Sequence, residues 1–349
     1  MTHLDILLPF GLPPAALATD LLRGLQLPAL ATLLSRAARI PETLDEAPLA
    51  LPHEAWLARR FGLEQELRKR GSLPLAAAAM GMLGLDVPDE GTWFVVNPVH
   101  IHIARDHLVL IHPRHLEMTQ DEGRTLFDIA QALFEEDGKT LLYGNESTWF
   151  ARADDWSGLQ TASPDAASGH NIDIWMPHGE GERNWRKLQN EVQMHWFADA
   201  INAHREAAGR KTVNSIWLWG GTAAGLRPQS PYSHVFHPGG WMGGVAHWTS
   251  SPLRVGAAQE VLAARSEHGL LMLDALLSPA LDNDWGRWQE QLCALEDQWF
   301  APLLDALKGG GIDRLVLHAG DDSRMMGFSA GRTALRKFWV KPSLAALQS

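Results

Sequence analysis

A histidine and two carboxylates fall on one short stretch, His318-Ala319-Gly320-Asp321-Asp322-Ser323, directly after an apolar run that reads as a buried strand. Oxygen and imidazole donors this close together could hold a divalent ion. The commoner use of aspartates in such a loop is to cap turns. A second group is His100-x-His102, whose rings would share one face of a strand, with His107, His112 and His115 following. Paired histidines on half-exposed strands are more often structural than metal-binding. Glu191 and His195 stand four apart on a predicted helix without the second histidine of a zinc-protease motif, so a surface ion pair is expected. Gly220-Gly221-Thr222 follows the apolar 215–219, and its backbone N–H groups could cradle an anion, although it is neither a Walker A loop nor a dinucleotide fingerprint. There is no Gly-x-Ser-x-Gly elbow, and the single cysteine, Cys293, reads as buried in a helix and therefore inert.

The elements that must carry these residues alternate. Residues 4–8 read as a buried strand ending in Pro9-Phe10-Gly11, and 13–38 as two helices parted by Pro28. Helical spacing continues over 53–70 and 74–83; residues 91–112 then alternate as a β-meander. A helix over 119–136 has Thr119 as N-cap and acids in its first turn. Short strands follow at 141–143 and 148–152, then a long helix over 182–208 closed by Gly209 and a strand over 215–219. Residues 228–253 contain no Asp, Glu, Lys or Arg and read as buried loop and short strand lining a cleft. Helix, strand, helix, strand and loop over 255–331 complete the pattern. This predicts an α/β fold with a mostly parallel sheet flanked by helices, formed by 1–84 and 176–349, with an inserted α+β domain over 85–175.

The chain has 349 residues, with 30 Lys+Arg against 41 Asp+Glu, a formal charge of −11 that argues against a nucleic-acid partner. Its densest basic run, Arg68-Lys69-Arg70, follows two glutamates and reads as a solvated helix face. The N-terminal apolar run lacks a basic leader and is interrupted by prolines, so neither a signal peptide nor a membrane span is expected. One cysteine excludes an internal disulfide framework and fits a cytoplasmic protein. Fifteen tryptophans point first to core and interface packing, including self-association.

Several stretches resemble a known family. LLPFGLPP, LPHEAWLARRFGL, WFVVNPVHIHIARDHLVL, GHNIDIWMP, WRKLQNEVQMHW and VNSIWLWGG resemble the RpfE-type bacterial regulatory proteins (regulation of pathogenicity factors) nearly end to end. More distantly the chain is similar to archaeal-type cofactor-independent phosphoglycerate mutases of the alkaline phosphatase superfamily. That similarity runs through 27–37, through 73–85 with 93–99, and through Asn202-x-x-Arg205 to Asn214-x-Ile216-Trp217-x-Trp219-Gly220. It implies an alkaline-phosphatase-like sheet with an inserted domain.

The resemblance also implies losses. Pro9-Phe10-Gly11 stands where the mutases have a metal-binding Asp-Gly, and Pro52-His53-Glu54 where their nucleophilic serine lies. Their Asp-x-x-x-His has become Asp282-Asn283-Asp284-Trp285, their Asp-His is Asp321-Asp322, and their last metal histidine is Ala334. Two-metal phosphoryl transfer needs the ions both to activate the nucleophile and to neutralise the oxyanion. The expectation is therefore a non-catalytic regulatory or ligand-sensing protein without a resident metal or other cofactor. Its ligand would be a small phosphorylated or carboxylated metabolite, bound by Arg205, Arg332 and the N–H groups of Gly220 and Gly221 and oriented by Asn97, Asn214 and Trp219. Against this, Arg205 and Arg332 could be spent on acids such as Glu206 or Asp322. The rival expectation is an active mutase with His53 as phospho-acceptor and Asp282, Asp321 and Asp322 holding Mn or Zn.

Overall fold

The computed structural model describes residues 2–44, 47–105, 107–237, 241–249 and 252–348. The chain forms two compact units, Met1–Asp45 with Gln229–Ser349, and Glu46–Pro228. In the first, seven strands lie in the order Pro252–Arg254, His234–His237, His268–Met272, His3–Leu8, Arg314–Gly320, Met325–Gly331 and Ala38–Glu42. The first five run parallel; Met325–Gly331 runs against them, and Ala38–Glu42, antiparallel to Met325–Gly331, returns to their direction. His3–Leu8 is central and buries all but its first residue, as expected of a strand covered on both faces by helices. The α/β fold expected from the sequence is present.

Two strands were not expected. Met325–Gly331 lies in a stretch read as loop, because Gly327 and Gly331 interrupt its apolar pattern; it returns as a hairpin on Arg314–Gly320. Ala38–Glu42 is a largely exposed edge strand containing Pro41, so it carries no periodicity to read. Of the uncharged stretch 228–253, residues 238–240 and 250–251 lie outside those described, and the rest includes a buried strand and the short helix Met242–Ala246.

Helix Pro28–Arg36 begins after Leu27, which has no side chain to cap it. The cap comes from far along the chain: the Glu296 carboxylate accepts the N–H groups of both Ala29 and Leu30. Glu296 opens a π-helical turn, Glu296–Phe300, inside a helical rod that runs from Trp285–Leu295 to Ala301–Gly309. Replacing Glu296 by alanine would strand two buried donors and cost about 2 kcal/mol, measurable by urea unfolding. Cys293, on the same rod, is exposed, which corrects the expectation that it is buried.

The second unit is built on one long strand, Thr92–Ile103. It pairs antiparallel with Thr148–Arg152, Ser215–Ala223 and Leu108–Ile111. Thr119 is the expected N-cap of helix Gln120–Glu136, and with Glu122 it forms a capping box. The predicted 182–208 helix divides into Glu182–Phe197 and Ala200–Ala207, the second capped by Asp199. Between helices and sheet lies a core in which Trp149 meets Trp196 and Trp156 meets Trp185 edge to face, at 5.9 and 5.4 Å. This unit is wider than the insertion read from the sequence: Ser215–Ala223, expected in the main sheet, completes the smaller one. No described helix is long and apolar enough to cross a membrane.

Candidate functional site

In the second unit, the segment that the sequence resemblance places at the mutases' nucleophile region folds into helix Pro52–Arg60, and both His53 and Glu54 point inward, 1% and 0% exposed. Proline suits the first helical position, and Glu54 Oε2 reaches back to accept the Leu51 N–H at 2.7 Å, a task Leu51 cannot perform for itself. Burial pushes the Glu54 carboxyl up to about 7, against the Ser163 hydroxyl and the Leu51 N–H, which favour its charge. Burial likewise pushes His53 down to about 4, against the attraction of Asp165. Both groups are therefore largely neutral near pH 6.

Asp165, on the turn Pro164–Ala167, is 4% exposed. Burial alone would raise its pKa, but His112, Arg114 and His53 together hold it below the usual carboxylate range. His112 Nε2 lies 2.8 Å from Asp165 Oδ1, and Arg114 Nη1 3.5 Å from the same atom. Since His112 Nδ1 accepts the Arg114 backbone N–H at 3.1 Å, its proton belongs on Nε2, facing the carboxylate. Both ring nitrogens of His53 are buried. With both ring nitrogens covered, His53 is closed to an incoming phosphoryl group.

Of the proposed ligand residues, Asn97, Trp219 and Gly220 come together. Trp219 Nε1 donates to Asn97 Oδ1 at 2.6 Å, and Asn97 Nδ2 to the Ser147 carbonyl at 2.7 Å. Gly220 has φ +69°, a conformation only glycine adopts freely. Its N–H donates to Ser72 Oγ at 2.9 Å and is thereby occupied. A Cβ on Gly221 would lie 2.7 Å from the Phe94 ring. Asn214 pairs with both backbone groups of Ile101, extending the sheet ladder. Arg205 is fully buried and committed: it bonds Glu122 at 2.8 Å, the Lys211 carbonyl at 2.7 Å and the Leu116 carbonyl. The acid that holds it is Glu122, not Glu206. Arg332 belongs to the other unit and is exposed, with its guanidinium against Gly310.

Asp5, Glu42, Arg70 and Asp165 escaped the sequence reading. Arg70, taken as part of a solvated face, is 1% exposed; Nε bonds Glu66 at 3.0 Å, while Nη1 is buried without a hydrogen bond, 3.4 Å from where a Gly221 Cβ would stand. Its spacing from the buried Leu63 and Leu67 was the available signal.

In the first unit, Asp321 serves its own loop. Oδ1 accepts from the Ser323 and Arg324 N–H groups, and Oδ2 from Arg324 Nε at 3.2 Å. Asp282 ends helix Leu277–Leu281 and Asp322 is exposed. His318 turns inward to another partnership: Nδ1 lies 2.8 Å from Glu42 Oε1 and Nε2 3.8 Å from Asp5 Oδ2, which also accepts the Tyr232 hydroxyl at 3.0 Å. Burial would lower the His318 pKa, but the two carboxylates more than offset it and raise it. Gly327, on the strand between, leaves the path open, since a Cβ there would sit 3.3 Å from Glu42 Oε1. His100 binds Thr212 through Nδ1, with the His102 ring 6.2 Å away. Glu191 pairs with Lys187, not with the exposed His195. Among the described residues no group of three or more His, Cys, Asp or Glu is arranged to hold a metal ion.

No family model matches the chain. It is 28% identical over 169 residues to a protein of Geobacter sulfurreducens described as a probable 2,3-bisphosphoglycerate-independent phosphoglycerate mutase. Over that stretch the two are similar. The match covers 46% of this chain and 40% of that relative's length. Among solved structures, the PH0037 protein from Pyrococcus horikoshii superposes with a TM-score of 0.57 at 14% identity, over 95% of this chain and 87% of that one. That likeness shows the fold. The cofactor-independent phosphoglycerate mutase from Thermoplasma acidophilum gives a TM-score of 0.47 at 12% identity, over 100% of this chain and 94% of that one.

Proposed function

We propose that this chain is a non-catalytic, RpfE-type regulatory protein of the cytoplasm that senses a small phosphorylated or carboxylated metabolite on a phosphoglycerate-mutase-like scaffold. The observation that carries this reading is the burial of His53 and Glu54 where the resemblance puts a nucleophile. The donor chemistry agrees: Pro9, Trp285 and Ala334 offer no ligand atom that could hold a metal, and Asp321 is engaged in its own turn. Arg332 is the exposed cation retained as an anion-binding group, because Arg205 is held by Glu122. The rival, an active mutase, is favoured by the description of the Geobacter relative.

A ligand that binds only the native state raises the melting temperature in proportion to the logarithm of its concentration above Kd. A thermal-shift series with 3-phosphoglycerate, phosphoenolpyruvate and citrate should give such a rise with at least one of them, and Arg332→Ala should abolish it. If no member of the series shifts the melting temperature, the sensing role is wrong.

A further inference from the structure

The most exposed aromatic side chains of the first unit stand side by side on one turn. Phe338 and Trp339 are 83% and 69% exposed, whereas no other large apolar side chain among the described residues of this unit exceeds 39%. Their rings meet edge to face at 5.1 Å. The turn is fixed on both flanks. The Val340 N–H donates to the Lys337 carbonyl at 3.0 Å and closes it. Before it, Arg36 Nη1 donates to the Leu335 carbonyl at 2.8 Å; after it, the Ser343 N–H donates to Ser35 Oγ at 2.8 Å, and Leu347 is buried.

Charge around the turn has one sign. Residues 323–348 carry Arg324, Arg332, Arg336, Lys337 and Lys341 and no Asp or Glu, in a chain whose overall charge is −11. The neighbouring helix Pro28–Arg36 adds Arg36 and no acid. Arg336, Lys337 and Lys341 are exposed and enter no ion pair among the described residues; the Lys337 ammonium lies 3.4 Å from the Arg36 carbonyl.

We infer that this turn docks the protein on the surface of an anionic phospholipid bilayer, with Phe338 and Trp339 entering the headgroup region and Arg336, Lys337 and Lys341 meeting lipid phosphates. An indole favours that depth, where its ring leaves water and its N–H still finds acceptors. Lysines beside it lay their stems along the apolar boundary and keep their ammonium groups among the headgroups. Apolar insertion and basic attraction are the two signals that surface attachment needs, and a turn already closed loses little freedom on binding. A protein partner is disfavoured by the flanking lysines, which the cores of protein interfaces exclude. Single-stranded nucleic acid is disfavoured by the rings themselves: at 81° to each other they cannot both take a base into one stack. The attachment is distinct from metabolite sensing and uses no pocket.

The test is flotation of the full chain, without metabolite, on vesicles made of equal parts phosphatidylcholine and phosphatidylglycerol at about 0.1 M salt. The protein should float with these vesicles and not with phosphatidylcholine alone. Phe338→Ser with Trp339→Ser should lower the partition coefficient by about tenfold or more, through the lost apolar transfer of two rings. Lys337→Gln with Lys341→Gln should lower it by about tenfold, through two lost attractions to the charged surface. All four side chains are exposed, so both double variants should melt with the wild type. Absence of flotation on the anionic vesicles would overturn the proposal, as would equal flotation on phosphatidylcholine or undiminished flotation of either double variant. So would a wild-type dimer in size-exclusion chromatography that the serine variant dissolves, which would assign the turn to a second copy of the chain. None of these outcomes depends on whether the sensing role holds.

Discussion

Replacing Glu54 by glutamine should convert a stability that is nearly flat between pH 4.5 and 6.5 into one that climbs by about 3 kcal/mol over that range. In the wild type two buried groups oppose each other. Glu54 is raised from 4.5 to about 7, so its contribution is complete below 4.5 and lost as pH rises. His53 is lowered from 6.5 to about 4, so its contribution is complete above 6.5 and lost as pH falls. Between these limits the folded state holds a proton on Glu54 that the unfolded state lacks, and lacks one on His53 that the unfolded state holds. The two slopes cancel, each worth about 3 kcal/mol across the window. Glutamine keeps an oxygen for the Leu51 N–H and removes one slope, and His53→Gln should leave the opposite one. Urea unfolding at half-unit pH steps reads the difference between variant and wild type, in which other titrations drop out. Parallel curves for Glu54→Gln and wild type would contradict the burial argument.

Asp165→Ala should destabilise by about 3 kcal/mol, because it strips the carboxylate from His112 and Arg114 while their side chains stay mostly covered, 16% and 24% exposed. Asp165→Asn should recover part of this through its remaining carbonyl oxygen. Chemical denaturation followed by tryptophan emission measures both; a loss below about 1 kcal/mol for alanine would mean that solvent replaces the carboxylate.

The sequence carried what depends on local periodicity. Leu4–Leu8 reads as a buried strand because it is a short, mostly apolar run ending in a turn, and Gln120–Glu136 as a helix because its spacing and the Thr119 N-cap agree. It did not carry what depends on partners. An apolar run such as SIWLW announces burial without saying in which sheet, so the boundary of the inserted unit fell in the wrong place. Nor does spacing join His53 to Asp165, 112 positions on, or Glu42 to His318, because side-chain contacts between distant segments leave no period to read. Aspartate at position 5 sat within an apolar pentapeptide and was passed over as part of it. Arg205 was read as a group for an anionic ligand, yet it is buried against a carboxylate on a helix far upstream.

The central claim is that phosphoryl chemistry has been removed from a mutase-like scaffold, and a coupled assay of 2- and 3-phosphoglycerate interconversion tests it most directly. The purified full chain should be assayed with and without added Mn2+ and Zn2+, alongside metal analysis of the same sample. The account predicts a rate no higher than a heat-inactivated control under every condition, and no stoichiometric metal retained. Interconversion that depends on added metal and disappears in His53→Ala would contradict it.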